Sequence, residues 1–171
     1  MSFFDPAQLE LFWPLVLALA LGALVGFERE YVGKSAGVRT NALICLGAAL
    51  FTVLSLNVPQ IFGEETVTSW DPSRIAAQVV IGVGFLGAGV VIFRQSRIRG
   101  LTTAATMWVV AAIGIAVGRG FYREALFSVG VVYCILTFLW LIEKKMGSGL
   151  LYPSLRETDD KEGQIKNNHG E

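Results

Sequence analysis

Charge is scarce in this sequence. Asp, Glu, Lys and Arg make up 16% of the 171 residues, and apolar residues make up 53%. A soluble domain carries about 25% charged residues, so this composition excludes an ordinary soluble domain. Basic excess is also missing: 14 basic and 14 acidic residues leave a net charge of zero. Nucleic-acid binding relies on such an excess, and no nucleic-acid partner is expected. Histidine is nearly absent, since His169 is the only one. One histidine near the chain end supports neither a nucleophile–base pair nor a histidine metal site, so an enzyme is not expected. Only two cysteines occur, Cys45 and Cys134, both inside apolar runs. A free thiol packs there as a small hydrophobe, and no disulfide framework is expected.

What is present is a series of long apolar runs. A membrane span needs about 20 mostly apolar residues. Five segments approach that length, at about residues 11–27, 41–58, 75–93, 103–118 and 125–142. No Asp or Glu falls near the middle of any of them. Trp13, Trp70 and Trp140 stand near segment ends as interfacial anchors. The expected fold class is an all-α membrane protein, a bundle of about five transmembrane helices. The leader, residues 1–10, carries Asp5 and Glu10 and no basic residue. A cleaved signal peptide begins with positive charge, so the first segment is expected to stay as a span. Lys and Arg gather in alternate loops: eleven lie on one side and three on the other. By the positive-inside rule the N-terminus is outside and the C-terminus cytoplasmic. The expected domains are a membrane domain over residues 1–143 and a polar, disordered cytoplasmic tail over 144–171.

Helices in lipid associate through small residues that let backbones approach. Ala18, Gly22 and Gly26 recur every fourth residue in the first segment, and Gly114 and Gly118 do so in the fourth. The third is densest, with Gly82, Gly84, Gly87, Ala88 and Gly89. Glycine on more than one side of that helix predicts that it sits at the centre of the bundle or in a subunit contact. Gly82, Gly84 and Gly87 also match the spacing of a dinucleotide fingerprint. That motif needs a preceding strand and an acidic residue about 20 positions on, and here the glycines lie mid-span.

Four polar clusters stand near segment ends. Glu28, Arg29 and Glu30 close the first segment, and Arg39 and Thr40 open the second on the same side. Arg39 is placed to pair with Glu28 or Glu30, and Thr40 to cap the second helix. On the opposite side, Asp71 and Pro72 read as N-cap and first helical residue of the third. Arg74 and Gln78 follow on one face, placed to reach into the bundle, where polar groups are costly and mark function. Arg99, Gly100, Thr102 and Thr103, with Trp108 beyond them, open the fourth segment. Gly100 permits a sharp turn, and Thr102 or Thr103 can cap the helix; an anion at the exposed amides is the alternative.

Five ordered motifs carry a resemblance. They are Gly-Phe-Glu-Arg-Glu at 26–30, Ala-Gly-Val-Arg-Thr at 36–40, Asp-Pro-Ser-Arg-Ile-Ala-Ala-Gln at 71–78, Gly-Phe-Leu-Gly-Ala-Gly at 84–89 and Gly-Leu-Thr-Thr-Ala-Ala at 100–105, followed by Trp108. The sequence resembles the MgtC/SapB family of bacterial inner-membrane proteins over about residues 15–142. The resemblance implies a multi-pass inner-membrane protein associated with adaptation to low magnesium. It implies a role in regulating or binding other membrane proteins, with transport of magnesium or another ion as the alternative. Lipid, other membrane proteins and a homo-oligomer are the expected partners. No cofactor is expected apart from a magnesium ion at an unknown metal site. Longer members add a soluble domain after the fifth span; this chain reads as a short form without it.

Overall fold

The computed structural model describes residues 6–62, 71–94 and 97–146. Among them the chain forms five helices: α1 (Pro6–Tyr31), α2 (Val38–Phe62), α3 (Ser73–Val90), α4 (Leu101–Gly118) and α5 (Tyr122–Met146). Four of them, α1 to α4, are long and apolar enough to cross a membrane. At 1.5 Å per residue, even the 18 residues of α4 span about 27 Å, close to the hydrocarbon thickness. Phe27, Phe85 and Phe127 are 60%, 79% and 74% exposed. Large aromatics on a surface belong against lipid rather than water. The chain is a multi-pass, all-α membrane protein.

The chain divides into two compact units, residues 1–133 and 134–171. In the second, the described part is the end of α5, to Met146. Trp140 lies in that stretch, and its side chain is outside the described residues, as are Trp70 and the tail from residue 147.

In the first unit α2 runs between α1 and α4. A Cβ on Gly22 would stand 2.6 Å from the Asn41 carbonyl oxygen and 2.6 Å from Cys45 Cβ. One turn on, a Cβ on Gly26 would stand 2.7 Å from the Gly37 oxygen. On the other flank, Gly114 meets the Cys45 carbonyl, and a Cβ on Gly118 would come 2.7 Å from the Ala49 oxygen. No room remains for a methyl group at these four positions. Backbone against backbone at such distances replaces the hydrophobic drive that is absent in lipid. The pairings also fix direction: α1 runs antiparallel to α2, and α4 runs parallel to it.

Of the two places expected for the glycine-rich third helix, a bundle centre or a subunit contact, the structure contradicts the first. The centre is α2 with α4, not the glycine-rich α3. Nothing lies within 4 Å of a Cβ built at Gly82, Gly84 or Gly89, and only Gly87 meets a neighbour, Ala104 Cβ at 3.4 Å. The α3 span is 11% buried, against 50% for α4. Only Val83 and Gly87 of α3 are buried, Val83 in a cluster with Ala36, Ala48, Met107 and Ala111. Glycine spacing shows that a close approach is allowed, not that a neighbour is present, and α3 keeps its glycines open.

The third segment also ends early. The helix stops at Val90, and Ile92–Arg94 pairs antiparallel with Arg97–Arg99 as a short hairpin, Phe93 opposite Ile98. The β-branched run before the basic residues favours an extended backbone. At the hairpin exit Gly100 has φ +90°, and a Cβ there would strike the Val90 carbonyl oxygen. Only glycine fits that turn.

Polar side chains inside the helices bond back to their own backbone. Thr52 Oγ1 donates to the Ala48 oxygen at 2.7 Å, and Thr106 Oγ1 donates to the Thr102 oxygen at 2.8 Å. Such bonds hide hydroxyls from lipid. Ser55 Oγ donates to the Pro72 oxygen at 3.1 Å, joining the far end of α2 to the start of α3.

The glycine contacts separate two classes of substitution. Gly22→Ala and Gly114→Ala each force backbones apart, at an expected cost of about 1–3 kcal/mol. Gly84→Ala adds a methyl in open space and gains up to about 1 kcal/mol of helix propensity. Denaturant titration of the purified protein in micelles measures both. Equal loss in all three variants would contradict the placement of α2 and α3.

Candidate functional site

The end of α1 is built to hold charge. Gly33, at φ +73°, closes the helix: Lys34 N–H donates to the Arg29 oxygen at 2.9 Å, and Gly33 N–H donates to the Glu30 oxygen at 3.0 Å. This is a Schellman closure, which satisfies the final carbonyls. Its last turn carries Glu28, 5% exposed, and Arg29, 3% exposed. Arg29 donates from Nε to Glu28 Oε2 at 2.6 Å and from Nη2 to Glu28 Oε1 at 3.0 Å. This two-pronged contact is the strong form of a carboxylate–guanidinium bond.

Arg39 is exposed and takes no part, which corrects the expected pairing of Arg39 with Glu28 or Glu30. Neighbouring Arg29 already occupies Glu28, and Glu30 is used otherwise. Its Oε2 accepts the Val38 N–H at 2.9 Å, so α2 is capped by a carboxylate from α1. Thr40, expected as that cap, is exposed and sits inside the helix, which begins two residues earlier at Val38.

Asn41 closes the polar stretch 37–41 that opens the second segment, where the sequence assigns it no role of its own. It is wholly buried. Its Nδ2 donates to the Ala36 oxygen at 2.8 Å and to the Gly37 oxygen at 2.9 Å. Its Oδ1 is the one fully buried side-chain polar atom without a hydrogen-bond partner among the described residues. The signal available was an amide one turn into an apolar helix, facing the glycine stripe of α1.

The fourth helix brings two more buried groups to this level. Gly114 pairs with Cys45 and Ala48. Two turns earlier on each parallel helix stand Thr106 and residues 37–40. Thr103 and Thr106 are 4% and 5% exposed. Thr102 and Thr103 do not cap α4. Its N-cap is Gly100 without a side-chain bond, and Ala104 N–H donates to the Gly100 oxygen at 2.9 Å. Starting at Leu101 places both threonines inside the first turn. Thr102, Arg99 and Trp108 are exposed. The structure therefore gathers Glu28, Arg29, Asn41, Thr103 and Thr106 at one end of the three-helix core.

At the opposite end, Asp71 Oδ1 accepts the Ser73 N–H at 2.9 Å, and its backbone oxygen accepts the Arg74 N–H at 3.2 Å. Asp71 thus caps α3, although the helix begins at Ser73, one residue later than expected. Hydrogen bonds from Ser73 hold the Asp71 carboxyl below its ordinary pKa, with a smaller contribution from the Arg74 charge. Arg74 and Gln78 are exposed, which corrects the expectation that they reach into the bundle. The first turn of α3 meets few neighbours and leaves both outside. Gln78 lines an apolar groove of about 660 Å³ between α2 and α3, with Leu43, Gly47, Phe51, Gly82 and Leu86 along its walls. Among the described residues no three His, Cys, Asp or Glu side chains cluster to hold a metal.

Two outcomes follow. Breaking a buried ion pair from one side costs about 3–5 kcal/mol, whereas replacing both members by apolar residues is close to neutral. Glu28→Ala should therefore unfold the protein at clearly lower denaturant than the double replacement Glu28→Leu with Arg29→Leu. For Asp71 the folded pKa lies below the unfolded value of about 3.9. Its stabilisation is complete above that value and is lost as pH falls through the folded pKa. Exchange of the Ser73 amide, followed by mass spectrometry, should show protection lost in that acid window only, and no such loss in Asp71→Ala, which starts unprotected.

The comparisons with known proteins agree with the motifs. The family model described as the MgtC family matches residues 15–145. The chain is 44% identical over 120 residues to the protein MgtC of Salmonella typhimurium strain LT2, covering 70% of this chain and 48% of that one. It is 46% identical over 132 residues to an Escherichia coli K12 protein named "Putative magnesium transporter YhiD", covering 74% and 56%. It is 37% identical over 146 residues to an uncharacterized Haemophilus influenzae protein, covering 84% and 61%. The chain spans about half the length of these curated relatives. No solved structure matches it. With nearly all of its membrane-spanning part matched by one family model and its helices in the order those motifs require, the chain belongs to the MgtC family.

Proposed function

We propose that the protein is a regulator in the inner membrane that acts by binding helices of other membrane proteins. The role belongs to adaptation to low magnesium, as the family resemblance implies. The observation that carries the reading is the α2–α3 groove. Its walls are apolar, it opens to the lipid, and Gly47 and Gly82 leave its floor without side chains. A groove of about 660 Å³ has the size that takes a ligand-scale apolar surface, and glycine walls let a visiting backbone approach closely. By the positive-inside rule the residue 32–37 loop and the buried charges face the cytoplasm.

Transport of magnesium or another ion is the second reading. The buried Glu28–Arg29 pair favours it, because charge inside a membrane bundle marks ion pathways. The E. coli relative's name points the same way. Against it, four glycines close α1 and α4 onto α2 and leave no space along those two contacts.

One pair of measurements separates the readings. Gly82→Trp places a large side chain in the groove from a position whose Cβ meets nothing within 4 Å, so the protein should keep its unfolding midpoint and lose crosslinking to a partner helix from a photoreactive residue at position 47. Crosslinks to lipid alone at position 47 in the unsubstituted chain would overturn the regulator. Magnesium flux into liposomes that vanishes in Glu28→Gln while the unfolding midpoint is kept would replace it with the transporter.

A further inference from the structure

Five of the seven buried polar or charged side chains described gather at one end of the core: Glu28, Arg29, Asn41, Thr103 and Thr106. Three helices supply them, and the glycine contacts fix their level. Gly26 lies against Gly37 and Val38, so Glu28 and Arg29 stand beside the first turn of α2. The Asn41 amide is drawn down to that same turn by its bonds to the Ala36 and Gly37 oxygens. Both amide hydrogens are thereby used, and the orientation of the group is set. Oδ1 is left pointing away from those carbonyls, buried and without a donor. An orphan acceptor in an apolar bundle costs about 1–3 kcal/mol. It is retained at the same end of the core as the Glu28 carboxylate, whose cationic partner is the side chain of the next residue, Arg29.

We propose that this cluster is a binding site for one small, oxygen-preferring cation, which takes the place of the Arg29 guanidinium on Glu28. The donors are a carboxylate, an amide oxygen and the threonine hydroxyls, all hard ligands of the kind that alkali and alkaline-earth cations take. Arg29 occupies the carboxylate when the site is empty and keeps it neutral. Arg29 sits in the last turn of α1, and its long side chain has a short path to the aqueous interface. When the cation enters, Arg29 swings out and Oδ1 gains its missing partner. One carboxylate balances one positive charge. Sodium therefore fits without further charge, and magnesium would retain part of its water shell. Ligand binding of this kind stabilises the folded state by mass action. The site does not depend on the groove reading, and its test uses neither a partner nor flux.

The test is the thermal unfolding midpoint of the full chain in lipid nanodiscs, in choline chloride, sodium chloride or magnesium chloride at equal ionic strength. Sodium or magnesium should raise the midpoint by several degrees over choline, with saturation. Glu28→Gln and Asn41→Leu should abolish that rise, and so should Thr103→Val in reduced measure, whatever each does to the midpoint in choline. Arg29→Gln should lower the midpoint in choline, enlarge the rise and reduce the half-saturating concentration by about tenfold or more, because a built-in competitor is gone. A midpoint that is the same in all three salts would overturn the site and leave Asn41 Oδ1 to a buried water. A rise that survives both Glu28→Gln and Asn41→Leu would place the cation elsewhere. A smaller rise in Arg29→Gln would make Arg29 a permanent partner and overturn the exchange.

Discussion

The fold depends on contact between backbones. Gly22 and Gly26 on one side of α2, and Gly114 and Gly118 on the other, leave no room for a side chain at the interface. In water, helices are pressed together by burial of apolar surface. In lipid that drive is missing, because the solvent is as apolar as the helix. What remains is dispersion and dipole contact, and both fall off steeply with distance. Glycine lets α2 approach its neighbours to the limit, and this approach makes α1, α2 and α4 one unit. The buried valines and alanines fill what is left, among them Val25, Ala49, Val110 and Val117.

That unit explains how a charged pair survives inside it. An isolated ion in hydrocarbon costs far more than any single contact returns. Glu28 and Arg29 avoid that cost by being adjacent in sequence and bonded at two points. The ordering entropy of the pair is small, since the helix already positions both side chains. The Schellman turn at Gly33 and the Glu30 cap on Val38 then tie the chain on both sides of the pair. A dense cluster of polar bonds occupies the few residues where α1 ends and α2 begins, whereas Thr52 and Thr106 each bond only back to their own helix.

Much of this arrangement is legible in the sequence. Apolar run length gives the helices, because membrane thickness sets their length directly. The Ala18, Gly22, Gly26 stripe and the Gly114, Gly118 pair point to close packing, and the structure places a neighbour against each of these glycines. The third helix is where the expectation of a bundle centre fails. Its glycines are denser than those of α1, yet spacing carries no information about what lies opposite. A glycine face against a neighbour and a glycine face left open read the same in one sequence. The charged cluster fails for a related reason. Glu28, Glu30, Arg29 and Arg39 are all within reach of one another, and which pairs form depends on helix phase. A shift of one residue turns a side chain by about 100°, enough to bury Arg29 and expose Arg39. Asn41 ends a polar stretch but has no role legible in the sequence, because its importance lies in an unmatched lone pair, which only coordinates reveal.

The two faces of α2 then have different characters. Asn41, Cys45, Ala48, Ala49 and Thr52 face α1 and α4, where contacts are fixed to a few tenths of an ångström. Leu43, Gly47 and Phe51 line the groove, and a Cβ on Gly47 would meet nothing within 4 Å. A rigid face holds polar groups at fixed positions, as any site for a charged ligand requires. An open face accepts partners of varied shape, which a rigid one rejects. Ala48 belongs to both, meeting Gly114 on one side and lining the groove on the other. Any displacement of α2 at its rigid face is therefore carried to the groove wall within a single helix turn. A packed interface resists continuous deformation and shifts between discrete arrangements instead, so α2 is the element through which the two sites can influence each other.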